Sequence, residues 1–152
     1  MVFSTARACA FWVIAFASTA LSAQPDATST SAETISFPAN DLHWVEIPDT
    51  GGIKYANVSG DLTGKGTYEA FVHFPGGKAN PFHHHTQALP TVVLKGTFYA
   101  IIDGKRTEYP AGSFYRLPAK LAHYSGCSSS EDCLLFQYQD DHFDMVPLKT
   151  AN

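Results

Sequence analysis

No cluster of lysine or arginine occurs anywhere in the 152 residues, and ten basic side chains stand against fourteen acidic ones. The resulting net charge of −4 argues against nucleic acid and anionic lipid as partners. Cysteine occurs three times, without a Cys-x-x-Cys pair, which argues against a cysteine-built zinc site. No Gly-x-Ser-x-Gly, no glycine-rich phosphate loop and no glutamate placed as a zinc-peptidase base is present, which removes the common hydrolase and nucleotide-binding classes. No amphipathic helix of about ten residues or more can be drawn.

What is present begins with a targeting pattern. Residues 1–23, "MVFSTARACAFWVIAFASTALSA", carry Arg7 as their only charge, then an apolar run from Ala8 to Ala17, then small residues. This is the order of a secretory signal peptide. The apolar run is shorter than the roughly 20 residues that span a bilayer. The expectation is cleavage after Ser22 or Ala23, a periplasmic or secreted mature protein, and no membrane association thereafter. An uncleaved anchor is the alternative. Residues 24–34, "QPDATSTSAET", are small and polar and read as a disordered lead-in. Residues 35–152 then form one domain, large enough for one core. The mature chain keeps Cys127 and Cys133 in "GCSSSEDC". An oxidising compartment and a five-residue polar spacer predict a disulfide between them, with free thiols or a metal pair as alternatives.

The domain is a series of short β-type runs: "HWVEI", "IKYANVSG", "YEAFVHF", "TVVLKGTFYAII", "KRTEY", "SFYRLP", "AHYSG" and "CLLFQYQ". Gly-, Pro- and Asp-rich breaks separate them, and this rhythm predicts an all-β sandwich or barrel. The Asp-Gly pair in "IIDGKRTEY" predicts a hairpin.

Three consecutive histidines sit in "PFHHHTQALP", inside this β region. In an extended chain alternate side chains share a face. His83 and His85 then point one way and His84 the other. Two imidazoles on one face can reach one ion, and His123 in "LPAKLAHYSG" is the natural third donor. Such a set suits a divalent transition metal: iron, zinc, manganese, nickel or copper.

At these residues the chain resembles the cupin superfamily of small jelly-roll barrels, the double-stranded β-helix. The first cupin motif is matched by Gly77, His83, His85 and Gly96. The second is matched by Gly112, Pro118 and His123, with Lys120 in place of a glycine and Cys127 in place of an asparagine. The resemblance covers roughly residues 70–140, and the chain looks like small secreted cupins of unknown function. It implies that His83, His85 and His123 are metal ligands. The glutamate of the first motif falls at Leu89, so the family's carboxylate ligand is missing; some dioxygenases of the superfamily also use three histidines.

Gln87 shares the parity of His83 and His85 and is a candidate accessory ligand. His73, in "FVHF", is a second candidate, either in the cavity or as a fourth ligand. His84 reads as a solvated residue, and His43 and His142 as surface or terminal ones. Tyr99, Tyr115, Tyr124 and Tyr138 are candidate cavity hydrogen-bond donors. Arg116 suits a surface salt bridge, or a substrate carboxylate. The functional expectation is an exported metal-binding cupin that binds or acts on a small chelating organic anion, with an oxygen-dependent dioxygenase, or a lyase or isomerase, as the enzymatic form. A non-catalytic periplasmic binding module and a metal-free structural barrel are the alternatives. A homodimer paired through sheet edges is expected.

Overall fold

The computed structural model describes residues 34–128 and 131–149. The signal segment and nearly all of the lead-in, residues 1–33, lie outside the described residues. A short 3₁₀ turn (Ala39–Asp41) precedes eleven strands: β1 Val45–Glu46, β2 Lys54–Ser59, β3 Tyr68–Phe74, β4 His83–His84, β5 Leu89–Lys95, β6 Thr97–Ile102, β7 Lys105–Pro110, β8 Phe114–Leu117, β9 Tyr124–Cys127, β10 Cys133–Gln139 and β11 Val146–Pro147. Six of them form one antiparallel sheet in the order β1-β2-β3-β10-β5-β8. The opposing layer holds β7-β6-β9 and the pair β11-β4. Isolated bridges Ala79↔Gly126 and His83↔His123 tie β4 and the segment before it to β9 and the residue before that strand. The all-β jelly-roll expectation is correct.

The core lies between the layers. Tyr68, Ala70, Val72 and Phe74 of β3 are buried and alternate with exposed or half-buried residues, the period-two pattern of a strand with one wet face. Val93 and Leu135 from β5 and β10 are fully enclosed against them. Each such aliphatic or aromatic side chain contributes roughly 1.5–3 kcal/mol by leaving water.

Two sequence expectations change. "TVVLKGTFYAII" is two strands rather than one. It breaks at Gly96 (φ +75°), where a Cβ would come within 2.7 Å of the Asp132 carbonyl oxygen. That left-handed residue sends β5 and β6 into different sheets. The run "HWVEI" is a strand only at Val45–Glu46. The predicted hairpin is present between β6 and β7, with Asp103 (φ +50°) and Gly104 (φ +75°) both left-handed. Positive φ at both central residues is the geometry that matches a twisted two-strand ribbon.

Candidate metal centre

His83 lies in β4, His85 just after it, and His123 just before β9. His83 and His123 form a reciprocal backbone bridge, with N–H···O distances of 3.0 and 2.9 Å. The pairing places the two imidazoles 4.3 Å apart between centroids. The donor atoms of His83, His85 and His123 all lie within 4.8 Å of one another, and all three side chains are buried. No other group of three such side chains is gathered among the described residues.

The orientation of each ring follows from its Nδ1. His83 Nδ1 donates to the Pro81 carbonyl at 2.7 Å, and His123 Nδ1 donates to the Leu121 carbonyl at 2.9 Å. His85 Nδ1 donates to the Asp144 carbonyl. A carbonyl only accepts, so each Nδ1 carries the proton and each Nε2 keeps its lone pair. His83 Nε2 is buried without a hydrogen-bond partner. An orphaned buried acceptor, beside the unprotonated Nε2 atoms of His85 and His123, fits a cation better than it fits an empty core. Burial also lowers the pKa of all three rings, that of His83 to about 4, and the neighbouring imidazoles push it the same way. The neutral form is the one that ligates.

Lys120 stands where the second motif has glycine, and it adopts the glycine conformation, φ +64°. Its N–H donates to the His85 carbonyl at 2.7 Å. The backbone turn therefore survives the substitution and links the His85 segment to the loop before His123. Cys127 and Cys133 are joined by a disulfide, both sulfurs buried. The bridge ties β9, which starts at the residue after His123, to β10.

The two accessory candidates fall outside the cluster. Gln87 is exposed, and its amide donates to Asp141 Oδ2 at 3.3 Å. Strand β4 ends at His84 and the chain bends at Thr86–Gln87, so the alternation that linked Gln87 to His85 stops there. His73 points from the outer face of β3, pairing with Asp132 at 3.0 Å and packing edge-on to Trp44. On β3 the inward positions are the even ones, which His73 does not share. His84 is half-buried, opposite Val146 of β11. His43 is exposed, and His142 pairs with Asp141 at 2.9 Å.

A cavity of about 80 Å³ opens beside His85 and His123. Leu89, at the place of the missing glutamate, lines it. Of the four tyrosines only Tyr115 does so. Tyr99 instead lies under the Arg106 guanidinium, 3.6 Å from the ring centroid. Tyr124 packs at a tilt against Phe82, and Tyr138 is exposed. Arg116 is exposed on β8, away from the cavity lining.

The sequence reading missed the C-terminal segment. Phe143 packs on His85 at 5.4 Å, Asp144 fixes its ring, and Met145 lines the cavity. The segment "DDHFDM" has neither strand periodicity nor a motif, and it is brought to the site by the pairing of the next two residues, Val146–Pro147, with β4.

The family model described as the ChrR Cupin-like domain matches residues 32–142. No curated protein matches the chain. Among solved structures it is similar to the polyketide cyclase RemF from Streptomyces resistomycificus (12% identity, TM-score 0.65, 79% of this chain and 89% of that one). It is similar also to an RmlC-like cupin from Ralstonia eutropha JMP134 (20%, 0.62, 78% and 74%). A third is the anti-sigma ChrR of Rhodobacter sphaeroides, solved in complex with SigE (25%, 0.53, 68% and 52%). At these identities the first two establish the fold alone. The chain spans about half of the third.

Proposed function

From the premise that this chain belongs to the ChrR Cupin-like domain family, we propose that it is an exported protein whose His83, His85 and His123 hold one divalent metal ion against a small chelating organic anion. The observation that carries this is the common polarity of the three rings. Each Nδ1 is occupied by a backbone carbonyl, which leaves three Nε2 lone pairs for one cation. Three neutral imidazoles leave the ion its full +2 charge, and the mostly apolar wall with Leu89 strengthens attraction for an anion. When bound, such an ion polarises substrate oxygens, and ferrous iron would support oxygen-dependent turnover. Leu89, Phe143 and Met145 contribute apolar wall to the cavity. Asp144 and Leu121 hold the rings in place. The probe is acetylacetonate, titrated calorimetrically into metal-loaded and metal-free protein. Binding only to the loaded form supports the reading; equal binding, or none, overturns it. Oxygen uptake with the ferrous protein separates turnover from binding. The match to the domain of an anti-sigma protein favours the non-catalytic reading if uptake is absent.

Export is supported by the N-terminal residue pattern and by the disulfide. Homodimerisation is supported by the outer face of the large sheet rather than by its edges. Phe71, Phe136, Val92 and Phe114 are cross-strand neighbours in one row, with Leu94 and Tyr138 exposed beside it. Glu69 lies towards one end of that row and Arg116 towards the other, both exposed. A two-fold axis parallel to the strands would bring each arginine to the partner's glutamate. Light scattering should give a dimer mass for the wild type and a monomer mass for Phe114→Asp. A monomeric wild type at micromolar concentration would refute the pairing.

A further inference from the structure

The inner face of the same sheet carries a polar row where a barrel core is ordinarily apolar. Gln137 of β10 stands opposite Thr91 of β5, and Thr91 stands opposite Tyr115 of β8. Thr91 is fully buried and Gln137 is 6% exposed. Gln137 Nε2 donates to Thr91 Oγ1 at 3.3 Å, the Thr91 hydroxyl donates to the Leu89 carbonyl at 3.4 Å, and Tyr115 is the neighbour of Thr91 on the next strand. The Tyr115 ring is held by stacking on Tyr109 at 4.5 Å. Gln137 and Tyr115 both line the cavity, whose other walls include Phe74, Phe98 and Leu117.

No hydrogen bond among the described residues uses the second polar atom of the Gln137 amide. Whichever way the amide is turned, one of its two polar ends is left to the cavity. A core glutamine with half its capacity unused costs free energy that an apolar residue would not. Burial also holds the Tyr115 phenol above its usual pKa, so the hydroxyl stays a donor. The row lies one strand repeat beyond Leu89, the position of the missing glutamate. Leu89 and Thr91 are both on β5, two residues and so roughly 7 Å apart along the strand. That is about the breadth of one six-membered ring.

We propose that Gln137, positioned by Thr91 and flanked by the Tyr115 hydroxyl, is a second recognition point, and that it reads a neutral hydroxyl or carbonyl on the far side of an aromatic ring whose near side carries the chelating anion. This rests on the metal reading given above, which it narrows from chelating anions in general to para-substituted aryl ones. The Gln137 amide and the Tyr115 hydroxyl together offer both an acceptor and donors, which suits a phenol. An unsubstituted ring would leave them unpaired in an apolar wall, and that penalty is the source of selectivity.

The test uses full-length exported protein loaded with nickel, and two probes. One is the benzoylacetonate anion and the other is its para-hydroxyphenyl analogue. The wild type should bind the hydroxylated probe at least tenfold more tightly. Gln137→Leu should reduce that ratio to within twofold, by weakening the hydroxylated probe and relieving the penalty on the unsubstituted one, with nickel stoichiometry unchanged. Tyr115→Phe, a smaller change, should reduce the ratio about threefold and serves if Gln137→Leu does not fold. A ratio that is unchanged in the folded variants, with both probes bound, overturns the inference and leaves the metal reading intact. Failure of both probes to bind the nickel-loaded wild type overturns the metal reading, and the inference with it.

Discussion

The two ends of the cavity are built from different material. At the histidine end every ring is fixed by main chain: the carbonyls of Pro81, Leu121 and Asp144, the His83–His123 bridge, and the Lys120 N–H on the His85 carbonyl. At the far end, side-chain contacts do the arranging: Gln137 on Thr91, and Tyr115 on Tyr109. Main-chain contacts survive most substitutions, because they depend on where the chain runs. Side-chain contacts are lost with one residue. The histidine end should therefore tolerate change around it, as the Lys120 and Cys127 replacements already suggest. The far end can be retuned a residue at a time.

Acid should have the largest effect, because it strikes the histidine end directly. The folded-state pKa of each ring lies below the ordinary histidine value of about 6.5. Between 6.5 and the folded value the unfolded chain binds protons that the folded chain refuses. Stability is thus complete above pH 6.5 and is lost as pH falls towards about 4, the value for His83. Bound metal should leave in the same direction. Thermal melts of metal-free protein from pH 7.5 to 4.5 check this, and a flat profile would contradict it.

Leu89→Glu comes next, at the boundary between the ends. Without metal, a carboxylate at a position 6% exposed should destabilise by about 3 kcal/mol. With metal it supplies a fourth ligand, so nickel should restore the melting temperature, tighten metal binding and weaken acetylacetonate binding. Calorimetry that shows stronger anion binding in the variant would contradict the open cationic site.

Removing the disulfide by Cys127→Ala with Cys133→Ala should cost about 2 kcal/mol in urea melts. Nickel stoichiometry should not change, because His123 keeps its bridge to His83. Loss of metal in the folded variant would show that the histidine end depends on a side-chain tie after all. Lys120→Gly should have the smallest effect. It relieves a left-handed residue and should stabilise by about 1 kcal/mol with metal binding unaltered.

Much of the histidine end was legible in the sequence. His83, His85 and His123 belong to spaced motifs, and motif spacing is a statement about main-chain path. The β runs and the Asp103–Gly104 hairpin were legible for the same reason. Gln87 was misplaced because strand parity was extended through a bend that the two-residue β4 does not reach. His73 was misplaced because nothing in "YEAFVHF" says which alternate set faces inward. The far end was hidden by an inversion. In "CLLFQYQ" the apolar Leu134, Phe136 and Tyr138 face out, while Gln137 and Gln139 are buried. A pattern read on the rule of apolar inside gives the opposite faces. Exceptions of that kind are expected where a site, rather than stability, sets the residue.

The most direct test is metal content by elemental analysis, on protein exported without an affinity tag and purified without chelator. The wild type and His84→Ala should each carry about one divalent ion per chain, and His83→Ala, His85→Ala and His123→Ala should carry almost none. Equal occupancy in all five proteins, or none in the wild type after incubation with iron, nickel and zinc, would contradict the three-histidine site.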